Sequence, residues 1–304
     1  MKLQVLSPGP LTTVQDRGRY GYIAAGIGVS GVMDRDAYEA ANYLVGNKHG
    51  EAVLEATMMG PSICFERDCI CAVTGADMDT KIGNKPVESY RPFWVQAGQT
   101  LTMGCAQNGC RGYLAVQGGF DVPVVMGSRS TNLKCRIGGY EGRALKAGDT
   151  LIVPDESLST VMDRKRRRPV YEQTVTVRVI PGPQAEYFTE QGFRTLWEQP
   201  FILSAKSDRM GLRLDGPAIE TVSGSDIVSD GIALGAIQIT SAGQPIILMA
   251  DRQTTGGYAK IGTVCSMDLP KLAQLKPGGV IQFEEITVEA AQRLLRREKW
   301  RIWK

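Results

Sequence analysis

One short segment of the sequence holds an unusual density of chemically useful side chains. It joins an acid, a base, an amide and two hydroxyls to paired glycines, as Asp251, Arg252, Gln253, Thr254, Thr255, Gly256, Gly257 and Tyr258. Glycine lets a backbone approach a ligand closely, and a few convergent polar groups can fix a ligand's orientation. Because two apolar stretches typical of strands precede the segment, at residues 235–240 and 246–250, we interpret it as a ligand-binding loop.

A second polar run with two glycines lies near the start of the chain, at residues 13–21. It contains Gln15, Asp16 and Arg17. Glycine and aspartate also favour ordinary turns, so a surface turn is the alternative interpretation.

Arg209 is a third candidate, because its planar guanidinium could clamp a carboxylate or a phosphate. It could equally pair with Asp208 or Asp215 in a structural network, and the pattern leaves both interpretations open.

The histidine and cysteine content excludes several kinds of site. His49 is the only histidine, in a polar stretch typical of a solvated loop, so a multi-histidine metal site is impossible. A nucleophile activated by histidine would have to use His49. The seven cysteines lack zinc-site spacing, and the sequence therefore predicts reduced thiols and no metal. Proton transfer would rest on carboxylates, lysine, tyrosine or water.

The composition is that of a globular protein. The chain has 304 residues, 43% of them hydrophobic and 22% charged, which predicts two domains. A net charge of +3 gives no argument for a nucleic-acid partner. We find neither a signal-peptide pattern nor an apolar run near the ~20 residues that span a bilayer, so we expect no membrane association and a cytoplasmic location.

Short β-like segments punctuated by turns dominate the first half. They lie at residues 3–14, 62–66, 70–74, 93–96, 113–117 and 150–153. This spacing favours a closed barrel or a sandwich. Asp34 and Gly46 bracket a helical pattern as its two caps. Cys69 and Cys71 are expected in the core, and residues 118–149 form a long functional loop.

The domain boundaries follow from a basic segment without periodicity, which includes Arg164 and Arg168. We predict a first domain at residues 1–160, a linker at 161–174 and a second domain with a C-terminal helix at 175–304. A phosphate-binding basic patch is the alternative interpretation of the linker.

Several of these motifs together resemble the family called allophanate hydrolase subunit 2, or the biotin-dependent carboxyltransferase domain family. The resemblance rests on residues 250–258 and 13–19, and on segments 31–47, 118–121, 128–148 and 207–217, in the family's order. It covers nearly the whole chain.

The resemblance implies a mainly β fold with two cyclophilin-like β-barrel domains. Bacterial members include the C-type component of ATP-dependent 5-oxoprolinase, which implies lactam opening with a B-type partner of the subunit 1 class and a third subunit. ATP is then expected at the level of the complex. Neither a phosphate-binding loop nor a biotin attachment segment occurs in this chain.

The resemblance also supports site positions on which a small amide-bearing substrate would bind. Asp251, as proton acceptor, and Lys260 are the predicted catalytic residues. The predicted substrate-binding residues are Gln15, Asp16, Arg17, Arg209, Gln253, Thr254, Gly256, Gly257 and Tyr258. Two alternatives stay open: carboxyl transfer to a urea or amide substrate with a biotin carrier, and a non-catalytic regulator that binds a kinase-inhibitor partner.

Overall fold

The computed structural model describes residues 1–48, 50–154 and 161–302, so His49 lies outside the described residues. The chain divides into two compact units. Unit 1 comprises Met1–Ile23 and Gly28–Tyr171, and unit 2 comprises Ala24–Ile27 and Glu172–Lys304.

Unit 1 is built from short antiparallel strands and one α-helix. The strands are β1 Lys2–Ser7, β2 Thr12–Gln15, β3 Val53–Thr57, β4 Ser62–Phe65, β5 Cys69–Asp77, β6 Lys81–Ile82, β7 Lys85–Pro86, β8 Pro92–Val95, β9 Thr100–Thr102, β10 Asn108–Val116 and β11 Thr150–Ile152. They form two sheets, with the orders β11-β1-β4-β9-β6-β7 and β2-β3-β10-β5-β8. The predicted core positions are confirmed, because Cys69 and Cys71 are buried in the apolar cluster of this unit.

The helix of unit 1, α1 Arg35–Val45, begins and ends where its capping residues predict. The Asp34 carboxylate accepts a hydrogen bond from the backbone N–H of Ala37, and Gly46 closes the helix with a left-handed φ of 77°. The buried face of α1 packs on β5 and β10. The helix is thereby fixed behind the sheet that carries β2.

The long segment at residues 118–149 lacks regular strands and helices, as predicted, apart from isolated bridges. Glycine allows its tight folds. A Cβ on Gly139 would lie 1.9 Å from Thr131 Oγ1, and the φ of 55° also favours glycine. The segment is thus an ordered excursion of unit 1.

Residues 161–171, within the segment predicted as a linker, belong to unit 1, and unit 2 begins at Glu172. The backbone N–H of Arg166 donates to Tyr90 O at 3.1 Å, and the guanidinium of Arg168 lies 2.6 Å from the Asp77 carboxylate. Val161 is buried against α1. These contacts place the basic run on the surface of unit 1.

Unit 2 contains a closed barrel, with the order β12-β19-β16-β17-β14-β13-β20. The strands of this unit are β12 Thr174–Pro181, β13 Phe201–Leu203, β14 Gly211–Asp215, β15 Asp226–Gly231, β16 Ala236–Ile239, β17 Pro245–Leu248, β18 Thr255–Tyr258, β19 Lys260–Val264 and β20 Val280–Glu285. Its helices are α2 Glu190–Glu198, α3 Leu269–Gln274 and α4 Val288–Ile302. The mainly β prediction is confirmed. Short 3-10 helices lie at Ile23–Ala25 and Ala185–Tyr187.

The predicted loop at residues 251–258 is partly a strand, which corrects the sequence prediction. Its last four residues form β18, which pairs antiparallel with β15 outside the barrel, with Asp230 opposite Gly256. Paired glycines usually indicate a loop, but here the ladder of β15 supplies their backbone partners. No described helix of either unit is long and apolar enough to cross a membrane.

Candidate functional site

Lys260, at the start of β19, holds a buried side chain against an exposed carboxylate. Its side chain is 5% exposed, and its Nζ lies 2.9 Å from Oδ2 of Asp230, whose side chain is 54% exposed. Gln184 joins both residues: its Nε2 donates to Asp230 Oδ2 at 3.4 Å, and its Oε1 accepts from the Lys260 backbone N–H at 3.3 Å. The ammonium is thus positioned at the polar end of a buried stem.

The position of Gln184 depends on a close backbone approach two residues earlier. The Gly182 N–H donates to Ile261 O at 2.9 Å, and a Cβ on Gly182 would lie 2.1 Å from Lys260 O. Only glycine fits at this distance. The turn of Pro181, Gly182 and Pro183 therefore brings Gln184 onto β19.

The ion pair changes the acidity of Asp230. A hydrogen bond from Lys260, followed by one from the Gly231 backbone N–H, lowers the pKa of Asp230 below its ordinary value. Charge-assisted hydrogen bonds favour the ionised carboxylate. Asp230 is therefore anionic at neutral pH and complements the ammonium.

The β15/β18 ladder sets the backbone beside this lysine. Gln238 on β16 donates from Nε2 to Tyr258 O at 3.1 Å. A Cβ on Gly256 would lie 2.7 Å from Gln238 Nε2 and 2.6 Å from Ile232 Cδ1. Gly256 is therefore needed for the seat of Gln238, whereas Gly257 has only ordinary contacts, the nearest at 3.4 Å to Ile227 O.

Asp251 and Arg209 form a buried ion pair with each other. Arg209 Nε lies 2.9 Å from Asp251 Oδ2, its Nη2 lies 3.4 Å from Oδ1, and both residues are at most 8% exposed. The Asp251 backbone N–H also donates to Arg209 O at 2.8 Å. Asp208 instead accepts hydrogen bonds from the backbone N–H groups of Met210 and Gly211. The structural partner of Arg209 is thus Asp251.

The residues after Asp251 connect this pair to the β15/β18 ladder. The Arg252 guanidinium donates to Ile232 O at 3.2 Å and to Met249 O at 3.3 Å, and Ile232 N–H donates to Thr254 O at 3.1 Å. Gln253 is exposed. Among these residues, Gln253 presents its side chain to solvent, while Arg252 is buried.

The predicted site residues of unit 1 lie in a polar network of their own. Both oxygens of the buried Asp16 carboxylate are occupied: Oδ1 accepts from Gly18 N–H and the hydroxyls of Ser128 and Ser130, and Oδ2 accepts from Arg129 N–H. This geometry ties residues 16–18 to the long segment at 128–130.

The two neighbours of Asp16 differ in exposure. Gln15 is fully buried, and its Nε2 donates to Thr13 Oγ1 at 3.0 Å and to Thr131 O at 3.1 Å. The Arg17 side chain is 40% exposed, with a guanidinium nitrogen 3.7 Å from Glu39 Oε1. Of the three, Arg17 is thus the residue that faces solvent.

The structure brings the predicted residues of unit 2 into two connected clusters, one around Lys260 and one around Asp251. Gln15, Asp16 and Arg17 belong to unit 1. Gln184, Asp230 and Gln238 were missed from the sequence, because their partners lie 76, 30 and 20 residues away. The glycine between two prolines at residue 182 was the available signal for Gln184. Within the described residues, no group of three or more His, Cys, Asp or Glu could hold a metal ion.

Comparison with known proteins places the chain among relatives. Residues 25–285 match the family described as carboxyltransferase domain, subdomain A and B. The chain belongs to this family. It is 38% identical to the C-type component of 5-oxoprolinase from Escherichia coli, over 99% of this chain and 98% of that protein. It is 37% identical to the C-type component of 5-oxoprolinase from Haemophilus influenzae, over 98% and 95%.

Larger relatives contain the same region as one part. The chain is 33% identical to urea amidolyase of Lachancea kluyveri over 96% of its length, which is 17% of that protein. It superposes on the crystal structure of the K. lactis urea amidolyase with a TM-score of 0.89 and 32% identity, over 97% of this chain and 19% of that one. The fold is therefore shared with a segment of a much longer enzyme.

Proposed function

We propose that this chain is the C-type component of an ATP-dependent 5-oxoprolinase, which opens 5-oxo-L-proline to L-glutamate. The end-to-end match to the C-type component of a known 5-oxoprolinase carries the proposal, because it accounts for 99% of this chain and 98% of the relative. The match to urea amidolyase leaves most of that relative unaccounted for.

Opening a lactam places two demands on a site. Water adds to the carbonyl carbon and leaves a negative oxygen, and the C–N bond then breaks as the nitrogen takes up a proton. Donors aimed at the developing oxyanion and an acid near the nitrogen lower these barriers. A lysine ammonium can fill either role.

Lys260 is the residue of unit 2 that we assign to this chemistry. Its buried stem fixes the position of Nζ, and its ion-pair partner Asp230 is exposed, so a substrate can replace part of the carboxylate's hydrogen bonding. Gln184 holds Asp230 and the Lys260 backbone. Tyr258 and Gly257, on the adjacent strand, would orient the amide through their backbone.

Asp251 and Arg209 have a supporting role in the proposal. The Arg209 fork takes up both oxygens of Asp251, which makes this carboxylate a poor proton acceptor compared with a free one. We therefore assign the pair to positioning the residues between β17 and β18. Gln253 and Thr254 remain candidates for substrate contact.

ATP and the other components complete the proposed activity. ATP would supply the free energy for lactam opening within the complex, and we assign none of the unit 2 residues to it, because the sequence has no phosphate-binding loop. A B-type partner and a third subunit would provide the remaining parts of the site. Arg17 and Gln15 are candidates for contacts with the substrate.

Carboxyl transfer from a biotin carrier is the second candidate function. The family description and the TM-score of 0.89 to the urea carboxylase of Kluyveromyces lactis favour it. The same lysine could then stabilise an anionic urea or amide. This activity would need a separate biotin carrier, because the chain lacks an attachment segment.

Reconstitution with the other components distinguishes the two functions. We expect glutamate from 5-oxoproline in the presence of ATP, without any need for biotin and without uptake of labelled bicarbonate. Biotin-dependent incorporation of labelled bicarbonate into urea or an amide, without glutamate formation, would instead establish carboxyl transfer.

A further inference from the structure

A basic groove of about 590 Å³ lies on the surface of unit 1, away from every residue assigned above. It is lined by Asp77, Val87, Glu88, Ser89, Arg91, Lys165, Arg166, Arg167 and Arg168. The volume is in the range of small-molecule sites. One aliphatic side chain, that of Val87, contributes to the lining, so the groove suits a polar ligand.

The basic side of the groove is fixed to the body of unit 1. Val161 is buried at one end of this segment, and at the other end Tyr171 exchanges two hydrogen bonds with the Asn108 side chain, at 2.8 and 2.9 Å. Between them, Arg166 N–H donates to Tyr90 O. The cations are therefore held in place before any ligand binds, which reduces the entropy lost on binding.

The charges of the groove are only partly neutralised. Five cationic and two acidic side chains line it, which leaves three positive charges net. Arg168 pairs with Asp77 at 2.6 Å, and Arg91 pairs with Glu88 at 2.7 Å. Within the described residues, Lys165 and Arg167 have no acidic partner.

Arg166 adds a cation that is oriented by an aromatic ring. Its guanidinium carbon lies 3.8 Å from the centroid of the Tyr43 ring, so stacking holds the planar group in place. A guanidinium in this arrangement keeps its N–H edge for hydrogen bonding.

We propose that this groove binds a phosphate-bearing small molecule with at least two negative charges. Clustered arginine and lysine donors match the oxygens of phosphate, and the Ser89 hydroxyl can donate a further hydrogen bond. The nearly complete lack of apolar lining disfavours hydrophobic carboxylates. The inference does not rest on the proposed function, because the binding can be measured on this chain alone.

Titration calorimetry on the full chain tests the proposal, with inorganic triphosphate as the probe and citrate as a non-phosphate anion. The test variant is Lys165→Gln with Arg167→Gln. The matched control is Arg293→Gln with Arg296→Gln, which removes two exposed cations of α4 and changes the net charge equally. Because all four side chains are exposed, both variants should keep the wild-type thermal midpoint.

We expect saturable one-to-one binding of triphosphate, at least about tenfold weaker in the Lys165/Arg167 variant and unchanged in the control. ATP that binds as tightly as triphosphate would identify a nucleotide as the source, and weaker binding of ATP would identify inorganic polyphosphate. Three results would overturn the proposal: no saturable binding, an equal loss in both variants, or citrate binding as tight as triphosphate.

Discussion

Arg209 grips Asp251 through its guanidinium and through its backbone carbonyl, so one residue satisfies the carboxylate and the N–H of the other. The pair joins the segment before β14 to the segment after β17. These two strands are neighbours in the barrel, paired as Gly211 to Leu248. The contact therefore closes one end of the strand pair that leads into residues 251–258.

We expect Arg209→Met to destabilise unit 2 by about 3–5 kcal/mol, because it leaves the Asp251 carboxylate buried without its partner. The double variant Arg209→Met with Asp251→Leu should recover much of this loss. Urea unfolding followed by tryptophan fluorescence measures both. A single variant within about 1 kcal/mol of wild type, or a double variant no better than the single, would contradict a structural role.

The Lys260–Asp230 pair predicts a pH-dependent signature. Its hydrogen bond lowers the folded-state pKa of Asp230, so the contribution of the pair is present above the unfolded-state pKa and is lost as the pH falls through the folded value. In Lys260→Met, the pKa of Asp230 should rise toward its ordinary value. Carboxyl NMR titration measures this change. An unmoved Asp230 titration in the variant would show that the ion pair is absent in solution.

The same lysine carries the activity prediction. Lys260→Met in the reconstituted complex should lower kcat for 5-oxoproline by about 10²–10⁴-fold, the usual contribution of a proton donor or acceptor. Lys260→Arg keeps the charge and provides the control for folding. Turnover of the methionine variant within about threefold of wild type would remove Lys260 from the catalytic assignment.

Gly256 and Gly257 are adjacent in β18 and predict opposite outcomes. Gly256→Ala forces its Cβ against Gln238 and Ile232, so we expect a loss of about 1–3 kcal/mol and a reduced activity. Gly257→Ala meets only ordinary contacts and should be within about 0.5 kcal/mol of wild type. Urea midpoints and turnover of the two variants check the ladder. Equal effects of both substitutions would contradict the placement of Gln238.

In unit 1, Asp16 and Arg17 separate structure from binding. Asp16→Ala strands several buried donors and should destabilise the protein by about 2–3 kcal/mol. Arg17→Ala, with an exposed side chain, should leave the unfolding midpoint unchanged and raise KM if the guanidinium contacts the substrate. Thermal unfolding and kinetics of both variants measure these effects. A stable Asp16→Ala variant would contradict the network.

The elements that the sequence predicted well are those with local causes. Helix α1 is delimited by Asp34 and Gly46, whose capping contacts reach three or four residues along the chain. Strand β18 was mistaken for loop because its partner, β15, lies about thirty residues earlier and its glycines weaken any strand pattern. The same distance in sequence hid Asp230. Motif positions such as Asp251 were recognised, but their pairing with Arg209 required the barrel.

The most direct test of the proposed function is the rate of glutamate formation from 5-oxoproline by the complex with and without this chain. We predict that the other components alone produce little glutamate, and that adding this chain restores a rate that depends on ATP and is insensitive to avidin. An unchanged rate without this chain, or a restored rate that avidin abolishes, would contradict its assignment to a 5-oxoprolinase complex.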